Sequence, residues 1–266
     1  PRSEASSKYN GYAVDLDGTN EYINDGSDTT STNDLKQIQI IIKPDAVSEH
    51  RAIYSERRKQ TGTSPIIPEK VWTIYQKDSY LYAACTDDGW SGNEVGLKGN
   101  STISNGTWYH ITVEFTLGDT PDIDMFVNNV KQLGSYDNSA IYYQHPTGTE
   151  STNIGRANAD ESGSITDVYW DGVINQICAW EGAHLTASQR TSIYSNGKPR
   201  CPFATARGTG DSIIDIGSTN IQAYWPVMKG DYSNTYLFQW MKSRMMAGQD
   251  TGKWRGGTDD SLSTGD

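Results

Sequence analysis

Two runs of alternating residues, 108–115 and 123–127, constrain the fold of this chain more than any other feature. In the first, Tyr109, Ile111, Val113 and Phe115 fall on one side and Trp108, His110, Thr112 and Glu114 on the other, a period of two that predicts a half-buried strand. The second puts Ile123, Met125 and Val127 on one side and ends at Asn128 and Asn129, a pair that tolerates the positive φ of a tight hairpin turn. The connection 116–122, with Gly118 and Pro121, is short enough to make the runs antiparallel neighbours. A two-stranded ribbon is marginal in water, so another layer must cover Tyr109, Ile111, Val113 and Phe115.

The rest of the chain supplies such a layer. Strand patterns recur at residues 12–16, 35–43, 52–55, 71–75, 80–84, 95–97, 169–180 and 221–227, separated by turn signals such as Asp17-Gly18-Thr19-Asn20 and Lys77-Asp78-Ser79. Residues 57–70, basic and proline-bearing, read as a solvated loop, and so does the polar stretch 157–164. Helical spacing enters at 185–194, with Thr186 as its cap and Leu185, Arg190 and Ile193 on one side. Cys178 alternates inside a strand and is expected to be buried; three cysteines make neither a disulfide framework nor a metal cluster.

At 266 residues the chain can bury a core without staples. A net charge of -11 opposes binding to nucleic-acid phosphates and to anionic membranes, and no run approaches the length needed to insert into a bilayer. No signal peptide is visible, and a start at Pro1 leaves room for a leader or preceding domain.

Taken in order, these pieces resemble the laminin-G-like and concanavalin A-like lectin-glucanase jelly rolls. The resemblance rests on residues 12–23 as the opening, on 106–113 as the central strand, on Met125, Phe126, Val127, Asn128 and Asn129 as its partner, and on 153–156, 170–177, 185–189 and 194–197 as the closing strand and short helix. It implies an all-β, two-sheet antiparallel jelly-roll sandwich, often with a calcium ion at one rim, and binding of glycans or proteins more often than catalysis. The expected division is an N-terminal arm at 1–10, the jelly roll at 11–200, and a C-terminal extension at 201–266 that carries a helix at about 235–247.

A sugar platform needs an exposed aromatic ring beside polar groups. Trp90, with Asp87, Asp88 and Asn93 in a glycine-bounded loop, fits this best; Tyr142 and Tyr143 come second. Calcium needs about six to eight oxygens from loops. The resemblance would bring Asp25, Asp28, Asp34, Asp160 and Asp171 together as donors, while Asp17 sits in a tight turn where it can bond its own backbone. The nearest approach to a catalytic carboxylate pair is Asp122 with Asp124, which lacks the following Glu of the related glucanases. The helical stripe Leu237, Trp240, Met241 and Met245 can cover a sheet edge or dock on a partner.

The expected function is therefore non-catalytic, calcium-assisted binding of carbohydrate or another surface ligand, by a protein that is extracellular, at a cell surface or on a virion. The first alternative is a structural or decoration protein of a virus particle or surface assembly, with copies of the chain as partners. The second is a divergent glycan lyase or hydrolase.

Overall fold

The computed structural model describes residues 13–24, 34–59, 69–86, 95–118, 121–136, 143–144, 152–161, 164–194 and 221–225. Its first sheet contains β1 (Val14–Asp17), β3 (Leu35–Pro44), β8 (Tyr109–Thr116), β9 (Asp122–Val127), β10 (Val130–Lys131), β16 (Asp171–Glu181) and β17 (Ile221–Trp225). The second contains β2 (Ile23–Asn24), β4 (Arg51–Lys59), β5 (Glu69–Lys77), β6 (Tyr80–Thr86), β7 (Val95–Thr102), β11 (Ser135–Tyr136) and β13 (Thr152–Ile154). All pairings are antiparallel, as the sandwich reading expects.

The two alternating runs form β8 and β9, in register from Ile111 opposite Val127 to Thr116 opposite Asp122. Asn128 and Asn129 have φ of 51° and 63°, the left-handed values a two-residue hairpin demands. Between the sheets, Ile38, Ile40 and Ile42 join Ile111, Val113, Phe115, Ile174 and Ile177 against Tyr54, Trp72, Ile74, Leu81 and Leu97. Burying each such side chain contributes about 1.5–3 kcal/mol against the entropy of ordering the chain.

One charged pair lies inside this core. Lys36 forms an ion pair with Glu56, both buried, and Glu56 also accepts from the Tyr54 hydroxyl. The Lys36 ammonium stands 4.5 Å above the ring of Trp72. Periodicity places Lys36 on the same face as the isoleucines, so β3 is amphipathic in the wrong sense at that one position and the second sheet supplies the countercharge.

Three expectations are corrected by tertiary packing. Strand β8 is buried on both faces rather than one, because residues 182–194 fold across the outside of the first sheet. That segment carries α1 (Ala187–Tyr194), capped as expected: Gln189 N donates to Thr186 Oγ1 (3.3 Å), and Thr186 N donates to Gln189 Oε1 (2.8 Å). Arg190 bonds Glu114 Oε1 (2.5 Å) and lies 4.0 Å over Phe126, Leu185 N donates to Gln37 Oε1 (2.7 Å), and the Tyr194 ring packs on His110. Next, residues 57–59 and 69–70 are not loop: β4 and β5 continue until Lys59 stands opposite Glu69. Finally, 157–164 is not a loop but the meeting of β14 (Arg156–Glu161) and β15 (Ser164–Tyr169), which with β12 (Tyr143–Gln144) form a small third sheet against β4 and β5. The strand expected at 221–227 is β17, which extends the edge of β16 beyond β1. Cys178 is buried, as expected.

Replacing Lys36 by Met leaves Glu56 buried without its cation, and urea unfolding should show a loss of about 3–5 kcal/mol. The double variant Lys36→Met, Glu56→Leu should recover most of that loss; a double variant no more stable than the single one would show that the pair is not the cause.

Burial pushes the His110 pKa from 6.5 down to about 3, so the imidazole is neutral beneath Tyr194, and Gln39 Nε2 meets its Nε2 at 2.6 Å. The unfolded chain then binds the extra proton between these values, and stability falls as pH drops from about 6.5 towards 3. Glu114 has the opposite sign. Its pKa is raised by burial, against the attraction of Arg190, so its contribution is present at low pH and lost as pH rises through its folded value. Unfolding measured from pH 7 to pH 3 should therefore show a downward slope that flattens in His110→Gln; an unchanged slope would assign acid sensitivity elsewhere.

Candidate functional site

The two ends of the sandwich differ. At one end lie the termini of β3, β4, β5, β6, β7, β8 and β16 marked by Leu35, Lys59, Glu69, Thr86, Val95, Thr116 and Glu181. At the other, Asp17 is opposite Asp171 and Gly172 is opposite Pro44. This second end is fastened by backbone bonds: Asp45 N to Asp171 O (3.0 Å), Gly155 N to Ile53 O (2.9 Å), and Trp170 N to Gly155 O (2.9 Å).

Two tight turns position side chains there. Gly18 has φ of 73°, and Asp17 Oδ1 accepts from Thr19 N (2.8 Å), so Asp17 serves its own turn as expected. Gly155 has φ of 83°, and a Cβ there would lie 2.4 Å from Leu16 Cδ1. It turns the chain from β13 into β14 and sets Arg156 opposite Tyr169.

The result is a cluster of four side chains. Tyr22 is 39% exposed. The guanidinium of Arg156 lies 4.7 Å from its ring centre, and the ring of Tyr169 is 6.2 Å away at an interplanar angle of 47°. Asp167 Oδ2 accepts from Arg156 Nη2 (2.8 Å) and from the Tyr169 hydroxyl (3.0 Å). Burial works against the Arg156 charge, but the hydrogen bond and charge of Asp167 outweigh it and hold its pKa above the usual value. Burial and Asp167 also raise the Tyr169 pKa, which keeps its hydroxyl a donor. The cluster thus offers an aromatic surface beside a fixed cation and a shared carboxylate, a combination that can stack a ring and fix its polar edge.

Arg51 holds the two halves of this cluster together. Its Nη1 donates to Gly18 O (2.7 Å), at the base of the segment bearing Tyr22, and to Tyr169 O (3.3 Å). Its Nη2 bonds Glu49 Oε2 (2.5 Å) and lies 3.8 Å from Asp171 Oδ2. The Asp171 pKa is raised by burial, with Asp45, Glu49 and Asp15 pushing the same way and Arg51 opposing.

The sequence candidates are distributed otherwise. Trp90, Asp87, Asp88, Asn93, Tyr142, Asp25, Asp28, Leu237, Trp240, Met241 and Met245 lie outside the described residues. Thr86 and Val95, which bracket the Trp90 segment, belong to the end remote from Tyr22. Tyr143 lies in β12 opposite Ala159, and Asp160 in β14 opposite Ile165. Asp34 bonds Lys70 Nζ (2.7 Å), at the opposite end of β3 from the residues that pair with the start of β16. Ten residues of strand, on the order of 33 Å, separate the ends. Asp34 and Asp171 therefore cannot share one ion, which corrects the expectation that they converge. Among the described residues no group of three or more His, Cys, Asp or Glu is placed to hold a metal ion. Asp122 Oδ1 accepts from Ile123 N (2.9 Å), and Asp124 pairs with Lys131 (2.7 Å).

Sequence reasoning missed Tyr22, Arg156, Asp167 and Tyr169. The available signal is the alternation of Asp167 and Tyr169 before Trp170, masked in the sequence by the loop-like polarity of 157–164 that hides the hairpin partner of Arg156.

No family model matches the chain, and no curated protein does. Among solved structures it is similar to a heptameric SAP-like pentraxin from Limulus polyphemus, at 17% identity over 74% of this chain and 81% of that one, with a TM-score of 0.42. A second is the CBM40 of a Ruminococcus gnavus IT-sialidase bound to alpha2,3 sialyllactose, at 10% identity over 68% and 96%, with a TM-score of 0.45. Domains LG4-5 of the mouse laminin alpha1 chain match at 14% identity over 61% and 40%, with a TM-score of 0.41.

Arg51→Ala should lower the melting temperature, because two backbone carbonyls lose their donor and Glu49 and Asp171 lose their cation; a loss of about 1–3 kcal/mol is expected. Tyrosine ring shifts in NMR spectra should move for Tyr22 and Tyr169. Unmoved rings in a destabilised protein would deny Arg51 its role in spacing them.

Proposed function

We propose that the chain is a non-catalytic binding module that takes a carbohydrate ligand on the exposed face of Tyr22. The observation that carries this reading is the Tyr22, Arg156, Asp167 and Tyr169 cluster. One face of the Tyr22 ring is backed by a guanidinium, the ring is partly open to solvent, and hydrogen-bonding groups of both kinds stand beside it. A sugar presents an apolar C–H face and an equatorial belt of hydroxyls, and such a surface matches both.

The surroundings support binding rather than turnover. Asp167 is held by Arg156 and Tyr169, and Asp124 by Lys131, so each carboxylate is engaged by its own neighbours. The reading sets the domain at an extracellular or particle surface, where glycans are met. Calcium enters only as a variable of the test.

On a glycan array, with calcium and with a chelator, the intact chain should bind a subset of glycans. Tyr22→Ala should weaken that binding about tenfold or more, equivalent to about 1.4 kcal/mol, with an unchanged melting temperature. Trp90→Ala, in the segment between β6 and β7, provides the comparison. Failure to bind any glycan, or full binding by Tyr22→Ala, would remove the proposal.

A further inference from the structure

We propose a second binding site, independent of the one at Tyr22, on the outer face of the second sheet, where Tyr80, Lys98 and Asn100 take a sugar ring that bears a carboxylate. Its floor is aromatic. Tyr75 and Tyr82 stand opposite each other in β5 and β6, with their rings stacked at 5.0 Å and an interplanar angle of 8°. Tyr80 and Val168, both partly buried, pack against that pair. Val168 and Tyr169 are successive residues of β15 and fall on opposite faces of it, so Val168 meets the stacked tyrosines while Tyr169 meets Tyr22. The small third sheet therefore keeps the two sites apart.

The polar groups come from β7. Lys98 stands opposite Tyr82 and is half-buried, and its ammonium lies 4.2 Å from the centre of the Tyr80 ring and 5.8 Å from that of Tyr82. Among the described residues that ammonium meets these two rings and no carboxylate. A ring face answers a cation only in part, and the ammonium keeps N–H donors for an oxygen ligand. A Cβ on Gly99 would meet Met125 Sδ at 3.4 Å, so position 99 faces the core and alternation turns Lys98 and Asn100 outwards. Asn100 and Thr102 are exposed, and Thr102 stands opposite Tyr80. An amide and a hydroxyl are thus set beside a ring that already holds a cation.

This combination fits a uronate. The C–H face of its ring matches Tyr80, its hydroxyls match Asn100 and Thr102, and its carboxylate matches Lys98 through a charge-assisted hydrogen bond. A neutral sugar would stack without that bond. The net charge of -11 acts against any anion at a distance, so the preference arises at contact with Lys98.

The test is an NMR titration of the intact chain with methyl β-glucuronide and with methyl β-glucoside, which differ only in the carboxylate, read on the ring resonances of Tyr80 and Tyr82. The glucuronide should bind about tenfold tighter. Lys98→Gln should remove that difference, Lys98→Arg should keep it, and Tyr22→Ala should leave it unchanged. Equal affinity for the two sugars, or a difference that survives Lys98→Gln, would overturn the proposal; the comparison of the two sugars on the unaltered chain decides this even where a variant folds poorly. The same ring shifts from sodium acetate at equal concentration would overturn the assignment to a sugar. A glucuronide response confined to Tyr22 and Tyr169 would place the acidic ligand at the first site and remove the second. Silence at Tyr80 overturns this site alone, because the Tyr22 reading is tested on a different ring.

Discussion

The placement of β3 between β8 and β16 is the constraint on which the rest of the structure depends. Pairing on both edges fixes Ile38, Ile40 and Ile42 towards the second sheet, and a slip of one residue would turn all three outwards and bring Gln37 and Gln39 into the core. The bulge between Asn175 and Ile177 keeps β16 in step with β3 along its whole length. The same register carries the start of β16 to the end of the sandwich where Asp171 meets Asp17 and Asp45, and so sets the floor of the rim that bears Tyr22.

Charge is handled differently at three of the places where charged side chains are covered. Lys36 and Glu56 neutralise each other between the sheets, where hydrophobic residues of the same volume would pack without a desolvation cost. Glu114 and Arg190 join α1 to the outside of the first sheet. Arg51 uses its planar fork on two carbonyls and two carboxylates, a task that a lysine's single ammonium could not reproduce. Only in the third case does the pairing shape a surface with an exposed aromatic ring.

Function on such a sandwich belongs to loops and rims positioned by a rigid frame. The Tyr22 cluster draws on residues more than a hundred positions apart, joined by a glycine turn at Gly155, a hairpin from 156 to 169 and the Arg51 bridge. Its chemistry is short in reach, because stacking and hydrogen bonds act at contact.

Much of the frame is written locally in the sequence. Alternation at 108–115 and 123–127, the Asn128 and Asn129 turn, and the Thr186 cap each involve neighbours within a few residues, and each is realised as expected because local sterics and periodicity decide them. The burial of the polar face of β8, the extension of β4 and β5 through a charged stretch, and the hairpin at 156–169 were not legible, since each depends on a surface contributed by a distant segment. The separation of Asp34 from Asp171 and the meeting of Tyr22 with Arg156 follow the same rule. Sequence determined which residues alternate and where the chain turns; tertiary structure decided which ends meet, because strand register and sheet order bring together side chains that no local spacing relates.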